Sequence, residues 1–212
     1  MTAASAFLSI LAALLLGAMS PGPSFVIVVR NAIGLSRRDG LATALGMGVG
    51  GVLFAGVALV GLYQVLAAVS WLYIGLKIAG GLYLFYLASR IWRGAAQPLS
   101  MEEGADVKQG GKLKSFWVGL STQLSNPKTA IYYASIFAAL LPQHPPLWCQ
   151  LVLPPCIFAI EAGWYTLVAL SFSSRRPRAW YLKMKTGVDR MAAGAIAVLG
   201  LRLIWKAPQG GL

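Results

Sequence analysis

Apolar residues fall in long unbroken runs along this chain, and charged residues collect at the edges of those runs. Residues 1–29 carry no charged side chain, and neither do residues 40–76. A helix that crosses a bilayer needs roughly 20 mostly apolar residues. On that measure the pattern predicts helix 1 within 1–29, helix 2 over 41–67, a short hairpin at 67–71 and helix 3 over 72–89. A polar linker at 90–115 leads to helix 4 over 116–141, which the PQHPP turn ends because prolines remove donors and fix φ. Helix 5 is expected over 147–172, a second basic linker over 173–186, and helix 6 over 188–205. Residues 1–29 lack the basic start of a secretory leader, so the expectation is a retained span.

Composition agrees with this pattern. Of 212 residues, 58% are hydrophobic and 11% charged, where a soluble domain has roughly 45–50% and about 25%. The mean hydropathy is +0.68. The formal charge of +12 would suggest nucleic acid if the cations shared a soluble face. They fall instead in alternate connections: Arg30, Arg37 and Arg38; Arg90, Arg93, Lys108, Lys112 and Lys114; Arg175, Arg176, Arg178, Lys183 and Lys185. Cytoplasmic loops retain positive charge, so these three connections belong on the cytoplasmic side and both termini outside. No nucleic-acid partner is expected. Cys149 and Cys156 are too far apart for a CxxC pair and read as two buried small hydrophobes, and His144, the lone histidine, lies in PQHPP. No metal site, cofactor or catalytic constellation follows from these residues, so an enzyme is not expected.

Two of the spans are interrupted. SPGPS (Ser20, Pro21, Gly22, Pro23 and Ser24) breaks helix 1, and SNPKT (Ser125, Asn126, Pro127, Lys128 and Thr129) breaks helix 4. Proline inside a span frees backbone groups that the bilayer tolerates mainly beside a cavity or within protein. Breaks three helices apart imply two inverted three-helix repeats, 1–89 and 116–212, joined by the 90–115 linker. Matching breaks in inverted repeats point to a transport site near the midplane. The glycines of GMGVGG (Gly46 to Gly51) and of Gly80 and Gly81 read as helix-packing faces.

Charges within a span mark candidate functional groups. Glu161 falls near the centre of helix 5 with Tyr165 one turn on, and Lys128 near the centre of helix 4. A carboxyl group whose proton affinity responds to desolvation and to a nearby cation meets the requirement of an antiporter. A snorkelling lysine or a static buried bridge is the structural alternative. The polar run Ser121, Thr122, Gln123, Ser125 and Asn126 is expected to line an aqueous cavity. The SPGPS break, with Pro23 opening a half-helix, is a candidate seat for a substrate carboxylate. Glu161 would receive either the substrate ammonium or the exchanging proton.

PGP in the first helix, then GLSRRDGLATALGMGVG, LKIAGGLYLFYLASRIWR, SNPK and VDRMAAGAIAVLGL, taken in order, resemble the LysE/RhtB family over residues 7–205. The stretch before NPK, VGLSTQLS, is more polar than the family's aromatic-led form. The resemblance implies a multi-pass carrier of the bacterial inner membrane that exports an amino acid or similar small zwitterion, driven by proton antiport. Its partners would be that substrate, protons and lipid, and a homo-oligomer is compatible with it. The alternatives are an exporter of an inorganic cation, for which the carboxylate, Cys and His clusters are missing, and a non-transporting membrane subunit.

Overall fold

The structure is a computed structural model that describes residues 2–62, 70–97, 110–142, 145–173 and 175–206. Among the described residues it is all helix and turn, with no strand. The described residues form eight α-helices in chain order: α1 Ala3–Met19, α2 Pro23–Gly34, α3 Arg37–Val57, α4 Ser70–Gly94, α5 Lys112–Ser125, α6 Pro127–Leu140, α7 Leu147–Phe172 and α8 Arg175–Lys206. The end of α3 passes into a π-helical turn, Ala58–Leu62. Side-chain caps stand at the starts of α1 and α3, as one does at α6. Thr2 accepts from the Ser5 N–H ahead of α1, and Ser36 accepts from the Asp39 N–H ahead of α3.

Arg37–Val60 and Leu147–Phe172 are each long and apolar enough to cross a membrane, and α1 with α2 meets the same measure as one span bent by 58°. Helix is interrupted at both expected places, between Met19 and Pro23 and at Asn126, and the expected helix 5 has its expected bounds. The hairpin expected at 67–71 lies largely outside the described residues, as do His144 and Lys108.

The basic stretch 173–186 differs from expectation, because α8 begins at Arg175, thirteen residues before the expected start at 188. Arg, Ala, Leu, Lys and Met all favour helix. Pro177 occupies the first turn, where its missing N–H breaks no bond. Hydropathy marks where a helix becomes apolar, and helicity itself extends further. The same holds at 90–115, where α4 continues to Gly94 and α5 starts at Lys112.

α3 packs against both α5 and α7, and α4 packs against α8 and α6. Small residues permit these close crossings. A Cβ on Gly46 would collide with the Phe116 carbonyl oxygen on α5, and one on Gly119 with that of Thr43 on α3. One apolar cluster joins α1, α4, α6, α7 and α8 around Leu14, Leu84, Tyr133, Ile136, Phe137 and Ile157. A second joins α2, α3 and α7 around Phe25, Val28, Met47, Tyr165 and Phe172.

Gly46→Ala or Gly119→Ala should therefore cost about 1–3 kcal/mol through backbone overpacking and lower the melting temperature of the purified protein in detergent. Gly56→Ala, on the same helix but in open space, should be neutral or stabilising by up to about 1 kcal/mol. Equal melting temperatures for all three variants would contradict the α3–α5 contact.

Candidate transport site

Both breaks share one local cause. Gly22 and Asn126 precede prolines, which disfavour helical backbone in the residue before them, and each is extended or nearly so (φ −158°, ψ −170° and φ −80°, ψ 105°). Pro23 and Pro127 then open α2 and α6 in the first helical turn. Each chain turns back into helix within three residues, which leaves polar groups concentrated at the junctions.

The two junctions face one another and satisfy each other. The Ser24 hydroxyl donates to Gln123 Oε1 at 2.8 Å and accepts from Asn126 Nδ2 at 3.1 Å. Asn126 Oδ1 in turn caps α6 by accepting the Lys128 N–H at 3.0 Å. Gln123 Nε2 donates to Glu161 Oε2 at 3.2 Å, and the Tyr133 hydroxyl donates to Glu161 Oε1 at 2.9 Å. Lys128 Nζ reaches the other break, donating to the Ser20 carbonyl at 3.3 Å and to Ser20 Oγ at 3.2 Å. Ser24, Gln123, Asn126 and Glu161 are all buried.

Two cavities of different size meet at these groups. A cleft of about 540 Å³ runs between α2, α4, α6 and α8, from the breaks to the C-terminal end of α4, and its lining includes Ser20, Pro21, Gly22, Pro23, Arg90, Asn126, Pro127, Lys128 and Asp189. Beyond it lies a chamber of about 30 Å³, lined in part by Gly17, Gln123, Tyr132, Tyr133, Glu161 and Tyr165. That volume holds a water or two. Ser20, Gly22, Asn126 and Lys128 line both cavities. Within the chamber's lining Tyr132 lies against Gly17 of α1, its hydroxyl donating to the Ala13 carbonyl at 2.6 Å.

The LysE type translocator family model matches residues 15–207, which covers both breaks and every cavity-lining group named above. The chain belongs to that family. Its relatives among curated proteins include the threonine efflux protein of Escherichia coli K12, 30% identical over 93% of this chain and 97% of the relative. The threonine efflux protein of Salmonella typhi is 32% identical over 88% and 91%. An uncharacterized membrane protein of Haemophilus influenzae is 27% identical over 91% and 92%. No solved structure matches significantly.

In this LysE type translocator the residues singled out by sequence separate into groups. Ser20, Pro21, Gly22, Pro23, Gln123, Asn126, Pro127, Lys128, Glu161 and Tyr165 converge on the two cavities. Thr122 and Ser125 do not, and with Ser121 they border a separate open groove beside Pro23. Side chains at 121, 122 and 125 point away from 123 because the run is helical, so one polar stretch serves two surfaces. Lys128 and Glu161 both touch the chamber but make no direct bond with each other. Cys149 is buried as expected, whereas Cys156 is only partly so, and both are free thiols. Among the described residues no group of three His, Cys, Asp or Glu could hold a metal.

Sequence reasoning missed the hub role of Ser24, the hydroxyls of Tyr132 and Tyr133, and Asp189. The tyrosines blend into an apolar run. Asp189 sits beside the expected start of helix 6 at 188, where no residue was singled out by sequence. Its one available signal is the Lys185 four residues earlier, with which it forms a 2.9 Å ion pair.

Ser24→Ala would strip Gln123 Oε1 and Asn126 Nδ2 of a buried partner. A stability loss of about 1–3 kcal/mol is expected, read as a lower melting temperature in detergent. Ser121→Ala, at an exposed position on the outer groove, should change stability by no more than about 0.5 kcal/mol.

Proposed function

We propose that the protein exports an amino acid from the cytoplasm in exchange for protons, with substrate seated where the two broken helices meet. The observation that carries this reading is the convergence of both proline breaks on the floor of one cleft, with a lysine there that has no acidic hydrogen-bond partner. An uncompensated cation at depth is costly. A substrate carboxylate supplies its counter-ion, and the start of α6 favours an anion at the same place. The relatives named for threonine efflux support an amino acid as cargo.

Six membrane crossings in two inverted halves fit the packing. Pairing α1 with α5, α2 with α6, α3 with α7 and α4 with α8 makes the α3–α7 and α4–α8 contacts lie on the pseudo-twofold. It also relates α1–α7 to α3–α5, and α1–α6 to α2–α5. Other pairs do not match. α4 packs on α6, for instance, while α8 makes no comparable contact with α2. A transporter caught facing one side has this asymmetry, and the open cleft lies along the unmatched helices.

The cleft reaches the end of α4 that carries Arg90 and the N-terminal half of α8 that carries Lys185, which positive-charge retention assigns to the cytoplasm, with both termini outside. The structure then corresponds to the loading state. Glu161 is the proton carrier in this scheme: enclosed, held by Tyr133 and Gln123, and separated from the cleft by the groups that line both cavities.

In proteoliposomes with an imposed pH gradient, wild-type protein should concentrate its amino acid, and Glu161→Gln should retain counterflow while losing that concentration. A Glu161→Gln variant that concentrates substrate as well as wild type would place the proton elsewhere. Lys128→Met should weaken binding of carboxylate-bearing substrates more than of their amides. Cysteine placed at Ile131, exposed in the cleft, in a background without Cys149 and Cys156, should react with an impermeant maleimide from the cytoplasmic face and be protected by substrate. Labelling from the outer face alone would reverse the assigned orientation.

A further inference from the structure

The two acids near Lys128 differ in what they can bind. Both carboxylate oxygens of Glu161 are engaged, by Gln123 and Tyr133, and the chamber they face has room for water only. An amino acid does not fit there. Asp189 is set in the wall of the 540 Å³ cleft, on α8, and is 2% exposed. Its Oδ2 accepts from Lys185, while its Oδ1 is buried and has no hydrogen-bond partner. A desolvated carboxylate oxygen left unpaired is expensive, which is why such atoms in folded proteins nearly always have a donor. Lys185 cannot supply a second bond without giving up others, since its ammonium also donates to the Ala95 carbonyl at 3.1 Å and faces that of Gly94 at 3.5 Å. Among the described residues that line the cleft, Lys128 on the floor has no acidic hydrogen-bond partner, and Asp189 in the wall has one carboxylate oxygen without a donor, covered in this structure so that a ligand reaches it only as the side chain turns.

We infer that Asp189 is the seat for the substrate's α-ammonium group in the loading state, with Lys128 taking the carboxylate, so that the cleft recognises a zwitterion. The inference rests on the exporter reading and divides its labour: Asp189 selects the cargo, and Glu161 handles the proton. The cargo class is an α-amino acid with a free amino group. Desamino acids lack the donor that Oδ1 requires, and N-acylated amino acids offer only an uncharged amide N–H in place of the ammonium.

The test uses full-length protein in proteoliposomes and the amino acid carried fastest in a panel of twenty, paired with its desamino acid (for L-threonine, 3-hydroxybutyrate). A charge-assisted bond to a buried carboxylate corresponds to roughly a 10- to 100-fold preference. Wild type should therefore favour the amino acid by at least about tenfold in KM on the cleft side. Asp189→Asn should reduce that preference to about threefold or less, by raising KM for the amino acid with kcat changed less than about threefold. Asp189→Glu should partly restore it, and it carries the test alone if Asp189→Asn does not accumulate in membranes. Lys185→Gln breaks the same ion pair but leaves the acid in place, so the preference should persist. A purely structural bridge would give equal losses for Lys185→Gln and Asp189→Asn, and that result overturns the inference. So does an unchanged preference in Asp189→Asn, which would mean that water alone satisfies Oδ1, or its loss in Glu161→Gln instead. If wild type carries none of the twenty, the exporter reading itself fails and this inference falls with it. A carried amino acid with no Asp189 effect removes the inference alone.

Discussion

The hydroxyl of Ser24 stands between the two interrupted helices, donating to one partner on α5 and accepting from another at the start of α6. Much of the site's order derives from this bridge. A helix broken at membrane depth exposes polar groups where hydrocarbon offers nothing to satisfy them. Here each break is the solution to the other: Ser24 orders Gln123 and Asn126, Gln123 holds Glu161, Asn126 caps α6, and Lys128 returns to Ser20 on the first break. Each bond contributes only about 1 kcal/mol net, but leaving any member unpaired costs more than that. The arrangement is therefore all-or-none to a degree that its individual bonds are not, as expected of buried polar networks.

Such a network needs helices close enough for short side chains to meet, and α3 provides the spacing. A Cβ on Gly50 would press into the Gln123 side chain, and one on Gly51 would approach the Tyr133 hydroxyl and the Glu161 Cγ. These two glycines therefore do more than let backbones pack. They leave the volume through which α5 and α7 reach one another, so that Gln123 and Glu161 bond across the face of a third helix. The neighbouring Gly46 and Gly119 set how near α3 and α5 stand in the first place.

How much of this was legible depends on the kind of signal. Proline in an apolar run always removes a donor, but whether the helix breaks depends on its surroundings: both breaks were readable from Pro23 and Pro127, whereas Pro154 and Pro155 lie inside the continuous helix α7. Helix 5 was readable because apolar sequence and helix end together at Phe172. Where the two part company, as in α8, hydropathy located the apolar segment and missed the polar turns before it. Within the site, Lys128 and Glu161 stood out as charges at depth. Asp189 did not, because its importance lies in an unsatisfied oxygen, and that depends on where α8 sits against α4. Nor could the sequence assign Thr122 and Gln123 to different surfaces until the phase of α5 was known.

The bonds that complete the site link residues about a hundred positions apart: Ser24 with Gln123 and Asn126, and Ser20 with Lys128. During synthesis the first broken helix is made long before its partners exist. Until residues 123–128 have been translated and inserted, Ser20, Ser24 and the bare start of α2 have no protein groups of the second break to bond, and a polar gap in a nascent span must be met by water or by the insertion machinery. Assembly is thus vectorial but completion is not, because the first part of the site to be made is among the last to be satisfied. A chain halted between the two breaks would hold a membrane segment that is long enough to span and yet unable to settle there, which makes the interval between α2 and α6 the stage at which quality control has something to detect.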